Sequence, residues 1–351
     1  MSWIQDLARP DIVALKPYDH ASWDPTLERM HANELPWRML GDDSAAGLNR
    51  YPEPQPHSLV SRLAELYGVA PNTVLVGRGS DEAIDLLMRA FCRAGQDSVL
   101  VCPPTYGMYA VSAGIQGAKV VAAPLRAERG FALDEQGLLD CCTADVKLVF
   151  LCSPNNPTGN LLDEGAVLRI TERLAGRALV VIDEAYLEFS TAASLSRHLA
   201  KLPNLVILRT LSKAHGLAGA RCGTLIADPE VIALLRKILP PYAIAQLTLE
   251  AVLKLLRPGQ LTVSRAHVEL IRSERARVSA ALANFARVKK VWPSDSNFVL
   301  THFIDAGAAL SLVRESHLLI RDARGYPGLG EALRITIGSV EQNDRLLEAL
   351  E

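Results

Sequence analysis

The stretch Leu205-Val206-Ile207-Leu208-Arg209-Thr210-Leu211-Ser212-Lys213-Ala214-His215-Gly216-Leu217-Ala218-Gly219-Ala220-Arg221-Cys222-Gly223 opens on an apolar run and continues into a loop. The run reads as a buried strand, so Thr210, Ser212, Lys213 and Arg221 stand where a strand gives out. A surface lysine stays charged, whereas a lysine that traps a carbonyl carbon needs a water-poor pocket where its amine can lose a proton. Taken alone, Lys213 is an ordinary solvated loop lysine. Its company decides otherwise.

Outward from this stretch, short apolar strands alternate with amphipathic helices. Val74-Leu75-Val76, Ser98 to Cys102, Ala118 to Ala123, Val146 to Cys152, Ala178 to Ile182, Leu205 to Leu208 and Gly223 to Ala227 read as strands. His57 to Tyr67, a segment through Cys92, Glu164 to Leu174 and Leu195 to Leu202 read as helices, the first ending at Gly68. Strands that are apolar throughout, set between helices, imply a mostly parallel seven-stranded sheet covered on both faces, an α/β core. After Pro229 the pattern turns to long helices, Pro229 to Leu239, Ala243 to Leu256 and Leu261 to Phe285. Strands at Asn297 to Thr301, Leu318 to Arg321 and Leu333 to Ile337 then alternate with helices at Ala306 to Ser316 and Val340 to Leu350, a smaller α+β unit.

The expected organisation is an arm over residues 1–45 packing with the small domain, a large domain over 46–242, and a small domain over 243–351 that begins with long linking helices. The arm is punctuated by Pro10, Pro17, Pro25 and Pro36, and Tyr51-Pro52-Glu53-Pro54-Gln55-Pro56 reads as extended and open to a partner surface. With 351 residues, two domains are the default expectation. A net charge of -2 gives no general attraction to nucleic acid or an anionic membrane, so function must come from a site. Met1 to Tyr18 holds no uninterrupted apolar block, which predicts neither a signal peptide nor a spanning helix and places the protein in the cytoplasm. Six cysteines without CxxC spacing read as reduced thiols, and eight histidines without an HxH or HxxxH pair predict no metal site.

Four strand ends carry chemistry. Gly77-Arg78-Gly79-Ser80-Asp81-Glu82 opens a helix, whose free amides can hold a phosphate or serve only as a capped first turn. It is neither GxGxxG nor a GKS/GKT loop, which argues against a dinucleotide or nucleoside triphosphate. Ser153-Pro154-Asn155-Asn156-Pro157-Thr158-Gly159 is a turn by composition, yet it also sets an asparagine amide at a strand's carboxyl end. Asp183 and Glu184 follow a fully apolar strand, where a carboxylate is either a cap or a charge kept for a buried cation. Asp183 could keep a heteroaromatic nitrogen protonated, and Tyr186 could bring a phenol to the same ring. With Lys213, these describe a pyridoxal phosphate site, since ligands of such sheets bind at the carboxyl ends of strands.

The ordered set Tyr51 to Gln55, Gly79 to Glu82, Pro104-Thr105-Tyr106-Gly107-Met108-Tyr109, Ser153 to Gly159, Asp183 to Tyr186 and Thr210 to Lys213 resembles the fold-type I pyridoxal phosphate aminotransferases, and within their class II subgroup the histidinol-phosphate aminotransferase family. The resemblance runs from Tyr18 to Arg334. It implies that Lys213 binds the cofactor covalently and moves a proton between the substrate's α carbon and the cofactor. It implies that Asp183 pairs with the pyridinium nitrogen, that Asn156 and Tyr186 bond the ring oxygen, and that Tyr106 stacks on the ring. The amides of Ser80, Asp81 and Glu82, with Thr210, Ser212 and Arg221, would hold the phosphate. Tyr51 would reach the phosphate of a neighbouring subunit, making the protein a homodimer with shared sites. Arg334 and Arg321 would take the substrate's anionic groups, with Tyr18 and Asn33 closing the pocket. The implied reaction is reversible, ping-pong transfer of an amino group from L-histidinol phosphate to 2-oxoglutarate, giving imidazole-acetol phosphate and L-glutamate in histidine biosynthesis.

Two departures bear on substrate fit: His215 where an aromatic such as Phe is more usual, and Leu35-Pro36-Trp37 after Asn33-Glu34. The rival readings are a threonine-phosphate decarboxylase or an aromatic amino-acid aminotransferase on the same scaffold, and a non-catalytic binding protein. Retention of Lys213, Asp183, Tyr186, Asn156 and Arg221 together speaks against the last.

Overall fold

A computed structural model describes residues 3–19, 23–24 and 26–351. Pro25, one of the arm's prolines, lies outside them. The large sheet is built from β1 (Val74–Gly77), β2 (Ser98–Val101), β3 (Lys119–Ala122), β4 (Val146–Cys152), β5 (Leu179–Asp183), β6 (Leu205–Thr210) and β7 (Gly223–Ala227). Its order is β1-β7-β6-β5-β4-β2-β3. The pairings β2–β3, β2–β4, β4–β5 and β5–β6 are parallel, while β7 runs antiparallel between β1 and β6. The mostly parallel α/β sheet expected from the continuous apolar strands is therefore present.

Alternation along the strands divides the core in two. Leu179, Val181, Val206 and Leu208 point to one face, under the helices Ser80–Phe91 and Pro229–Arg236. Val180, Ile182, Leu205 and Ile207 point to the other, with Val167 and Ile170 of the helix Glu164–Arg173. Parallel strands all leave the sheet at the same edge, so the residues after β4, β5 and β6 are neighbours although far apart in sequence.

The second sheet comprises β8 (Val288–Val291), β9 (Phe298–Phe303), β10 (Arg321–Asp322) and β11 (Ala332–Thr336), in the order β10-β11-β9-β8, antiparallel throughout. Val299, Phe303, Leu333 and Ile335 form its core with Val278 and Leu282 of the helix Pro258–Leu282 and Leu346 and Leu350 of the helix Val340–Leu350.

Several expectations need correction. The N-terminal segment forms two short helices, Trp3–Leu7 and Pro10–Ala14, that pack on the large domain. Ile4, Leu7 and Ala8 join the core beside Leu87 and Leu235, and the Arg9 amide donates to the Ala90 carbonyl at 2.9 Å. Apolar contact with two large-domain helices, not with the small domain, fixes this part of the arm. The helix Gln246–Leu255, expected to open the small domain at residue 243, sets Val252 against Leu59, Leu63 and Val76 and so belongs to the large-domain core. The passage between domains falls instead within the helix Pro258–Leu282. Val268 lies with Tyr186, Ala214 and Phe298, whereas Val278 and Leu282 lie in the small core.

The strand expected over Leu318 to Arg321 shrinks to the two residues of β10. His317 adopts a left-handed conformation (φ 57°) and the Leu318 amide caps the preceding helix by donating to the Val313 carbonyl at 3.1 Å. Leu195 to Leu202 forms only a 3₁₀ turn over Leu195–His198. The helix Glu135–Cys141 and strand β8 had no counterpart in the sequence reading. No helix among the described residues is long and apolar enough to cross a membrane.

Candidate active site

At the carboxyl edge of the large sheet a cleft of about 130 Å³ is lined by residues from each of the four strand-end motifs. Gly79, Ser80 and Asp81 come from the start of the helix Ser80–Phe91, and Tyr106 from the loop after β2. Cys152 ends β4 and Asn156 follows it, Asp183 ends β5 with Ala185 and Tyr186 after it, and Thr210 ends β6 with Ser212, Lys213, Ala218 and Arg221 after it. Ten of the residues singled out from the sequence thus meet in one place: Ser80, Asp81, Tyr106, Asn156, Asp183, Tyr186, Thr210, Ser212, Lys213 and Arg221.

One end of the cleft is an anion seat. Helix amides of the first turn have no intrahelical acceptor, and the helix dipole adds positive potential there. Gly79, the residue before the helix, has φ 88°, and a Cβ at this position would lie 2.8 Å from Arg221 Nη2. Across from it, a Cβ on Gly223 would fall 2.6 Å from the Ser80 amide nitrogen. Two bare backbones therefore let β7 and the helix start close on each other. Arg221, itself left-handed at φ 51°, brings its guanidinium within 3.5 Å of Ser212 Oγ and 3.6 Å of Asp81. Thr210 Oγ1 donates to Ser212 Oγ at 3.0 Å and accepts the Ser212 amide at 3.2 Å. Backbone amides, two hydroxyls and an arginine fork make a donor set suited to a phosphate.

Deeper in, Asp183 is almost fully buried, and burial pushes its carboxyl up to about 6. Two donors oppose that displacement: Tyr109 Oη, 2.8 Å from Oδ2, and the Ala185 amide, 3.1 Å from Oδ1. Among the described residues no guanidinium or imidazolium is in hydrogen-bond contact with Asp183, so the site has room for a cationic partner from a ligand.

Lys213 lies open along the cleft. Enough protein surrounds it that lost hydration, and then repulsion from Arg334, hold its ammonium below the ordinary lysine range. Its Nζ stands 5.5 Å from the Tyr186 ring centroid. Asn156 Nδ2 donates to Tyr186 Oη at 3.2 Å, and Asn156 Oδ1 accepts from Arg334 of β11. Arg334 also lies over the Phe298 ring at 5.2 Å, and its Nε is buried with no hydrogen-bond partner among the described residues. The small domain thus sets an arginine, itself not among the lining residues, against Asn156 of the cleft wall with donor capacity in reserve.

Other expected residues lie elsewhere in this chain. The Glu82 side chain turns back on Arg78, accepting its amide at 2.6 Å, so only its backbone amide could serve an anion. Tyr51 stacks on Tyr242 at 4.4 Å, and Tyr18 lines a separate groove with Trp23 and Arg236. Asn33 lies in a groove with Leu27 and Arg50, where Glu34 pairs with Arg29 and Arg50 at 3.0 Å. Arg321 is the register partner of Arg334, on the same face of adjacent strands, but is exposed and does not line the cleft. His215, one of the departures, points away from the cleft toward Glu188, at 3.6 Å.

Two residues of the site escaped the sequence reading. Cys152 is the last residue of β4, one place before the Ser153 turn, and the strand-end rule that selected Asp183 would have found it. Tyr109, behind the cleft wall, stands in the first turn of the helix Met108–Gln116, three residues beyond Tyr106 of the preceding loop, and the two rings meet edge-on at 5.5 Å.

A family model for aminotransferases of class I and II matches residues 18–350. The histidinol-phosphate aminotransferase of Xanthomonas euvesicatoria pv. vesicatoria is 46% identical over 354 residues, covering 100% of this chain and 97% of the relative. The crystal structure of histidinol-phosphate aminotransferase from Sinorhizobium meliloti in complex with pyridoxal-5'-phosphate superposes with a TM-score of 0.78 at 26% identity, over 86% of this chain and 82% of that one. L-threonine-O-3-phosphate decarboxylase from Porphyromonas gingivalis superposes with a TM-score of 0.74 at 27% identity, over 86% of this chain and 92% of that one.

Proposed function

This chain belongs to the aminotransferase class I and II family, and from that premise we propose that it is a pyridoxal phosphate enzyme transferring the amino group of L-histidinol phosphate to 2-oxoglutarate, reversibly, in histidine biosynthesis. The observation that carries the reaction class is the meeting of Lys213, Asp183 and the anion seat in one cleft. The choice of substrate is supported by full-length likeness at 46% identity to a histidinol-phosphate aminotransferase.

The residues present fit the cofactor. The amides at Ser80 and Asp81, the hydroxyls of Thr210 and Ser212, and Arg221 would hold its phosphate. Asp183 would hold the proton on its ring nitrogen, Asn156 and Tyr186 would bond its ring oxygen, and Tyr106 would cover one ring face. When bound, pyridoxal phosphate supplies a ring that takes up the electron pair left on the substrate's α carbon.

The chain does the rest. Lys213 would hold the cofactor through its amine, and its Nζ, held toward the neutral form by lost hydration, would be placed to take a proton from the substrate's α carbon and return it. Arg334, with Nε free, would bind the anionic end of each substrate in turn, and its fork suits phosphate and carboxylate alike. Tyr51, outside the cleft of its own chain, would complete the phosphate seat of a partner subunit in a homodimer. Arg321, Tyr18 and Asn33 would close the substrate end. We place the enzyme in the cytoplasm.

Half-reactions of the reconstituted protein test this reading. L-histidinol phosphate should discharge the visible absorbance of bound pyridoxal phosphate far more efficiently than aromatic amino acids do, and phosphothreonine should release no carbon dioxide. Lys213→Ala should lose the absorbance in its native form and lower turnover on the order of 10⁴-fold. Unchanged turnover in that variant would overturn the proposal, and carbon dioxide release would replace it with the decarboxylase reading.

A further inference from the structure

Tyr109 stands behind the cleft wall and is not among the residues that line it. Its position is nevertheless tightly determined. The ring is fully buried, stacked on Phe150 of β4 with centroids 4.8 Å apart, and meets Tyr106 edge-on at 5.5 Å. Packed between these rings, its hydroxyl points at Asp183 Oδ2, 2.8 Å away. The other carboxylate oxygen accepts the Ala185 amide. Each oxygen thus holds one protein donor and keeps a lone pair for another, and the two contacts together fix the carboxylate plane.

We infer that Tyr109 is a positioning residue for the cofactor: through its hydroxyl it holds Asp183 ionised and oriented so that the carboxylate can keep a pyridine ring nitrogen protonated. This rests on the pyridoxal phosphate reading above. Burial works against an ionised Asp183, and the Tyr109 hydrogen bond is the largest effect opposing it. The other groups facing Asp183 do not replace it. Asp81 repels its charge and Lys213 attracts it more weakly, while Cys152, Tyr106 and Tyr186 are uncharged neighbours with acidities suppressed by burial. Tyr109 itself remains a donor, because burial and then the Asp183 charge raise its phenol well above the usual range. A hydrogen bond to a charged, buried acceptor is the kind whose loss is felt most.

The test uses holoenzyme reconstituted with pyridoxal phosphate carrying ¹⁵N at the ring nitrogen, whose chemical shift reports that atom's protonation directly. In Tyr109→Phe the carboxylate loses a donor and gains proton affinity, so the shared proton should pass from the ring nitrogen to Asp183, the ¹⁵N titration should run toward the unprotonated value across neutral pH, and the cofactor dissociation constant should rise about tenfold. Phe150→Leu removes the stacking partner but keeps the hydroxyl. It should lower the unfolding temperature while leaving the ¹⁵N titration in place. An unchanged titration in Tyr109→Phe, or an equal shift in Phe150→Leu, would overturn the inference. An unsubstituted protein that retains no pyridoxal phosphate would overturn the reading beneath it, a result recognisable before either variant is made.

Discussion

The two faces of the sheet at the ends of β5 and β6 carry similar side chains to opposite ends. Asp183 and Thr210 point to one face and open the cleft with Lys213. Glu184 and Arg209, their immediate neighbours, point to the other. There Arg209 meets Glu184 at 2.9 Å and Glu188 at 2.7 Å and lies over the Tyr67 ring at 4.8 Å, while Glu184 also accepts the Leu195 amide at 2.8 Å. Burial raises both carboxyls there: Glu184 stays above its usual range despite Arg209, whereas at Glu188 the charge of Arg209 and then the hydrogen bond from His215 more than offset burial and hold it below. On the cleft face, by contrast, both the acid and the base are displaced toward neutrality. An acid and a base that neutralise each other make structure. The same types held short of each other keep their reactivity for a ligand.

Removing the cation from the paired face should have the largest effect on folding. Arg209→Met leaves Glu184 and Glu188 buried without a counter-charge and should destabilise the protein by about 3–5 kcal/mol, measured by urea unfolding of the cofactor-free protein. A change below 1 kcal/mol would mean that water already carries much of the neutralisation. On the open face the sign reverses. The Asp183 carboxyl is raised in the folded protein, so ionisation opposes folding above about pH 6, and that penalty fades as pH falls and is gone below the unfolded value of 3.8. Asp183→Asn should therefore stabilise the cofactor-free protein by roughly 2 kcal/mol at pH 7 and by nothing at pH 3.5, while lowering holoenzyme turnover at least 100-fold. Thermal unfolding at the two pH values checks it, and a variant less stable at pH 7 would break the comparison. The smallest effect is expected at Gly79→Ala. Its φ of 88° and the 2.8 Å approach to Arg221 predict a stability loss of about 1 kcal/mol and weaker pyridoxal phosphate binding, read by equilibrium dialysis.

Much of this was legible in the residues. Strands buried on both faces write themselves as unbroken apolar runs, so β4 and β7 were bounded to the residue, as was the helix His57–Tyr67 by its following glycine. The Lys213, Asp183 and Asn156 motifs were found because a strand's end is marked in sequence by the change from apolar to polar. The arm's placement was not legible. Five-residue helices such as Trp3–Leu7 take their conformation from the surface they dock on, and their periodicity is too short to show a face. Val288-Lys289-Lys290-Val291 hid as a strand because it is a partly exposed sheet edge. Tyr18, Asn33, Tyr51 and Arg321 were recognised by resemblance alone, and their chain does not bring them into its own cleft. Tyr109 was missed for another reason: what it does depends on Phe150 and Asp183, distant in sequence and adjacent only across the sheet.

Gly223 contributes no functional group, and a catalogue of reactive side chains would pass over it. Yet β7 meets the start of the helix Ser80–Phe91 there with no room for a methyl, a Cβ falling 2.4 Å from the Gly79 carbonyl carbon. It acts as a gauge block, setting how far the helix amides stand from Thr210 and Arg221 on the other side of the seat. The tolerance of this enzyme to mutation should therefore be narrowest not only where its chemistry is done but also at this silent point of contact. Random substitution screened for cofactor retention should return position 223 as invariant glycine.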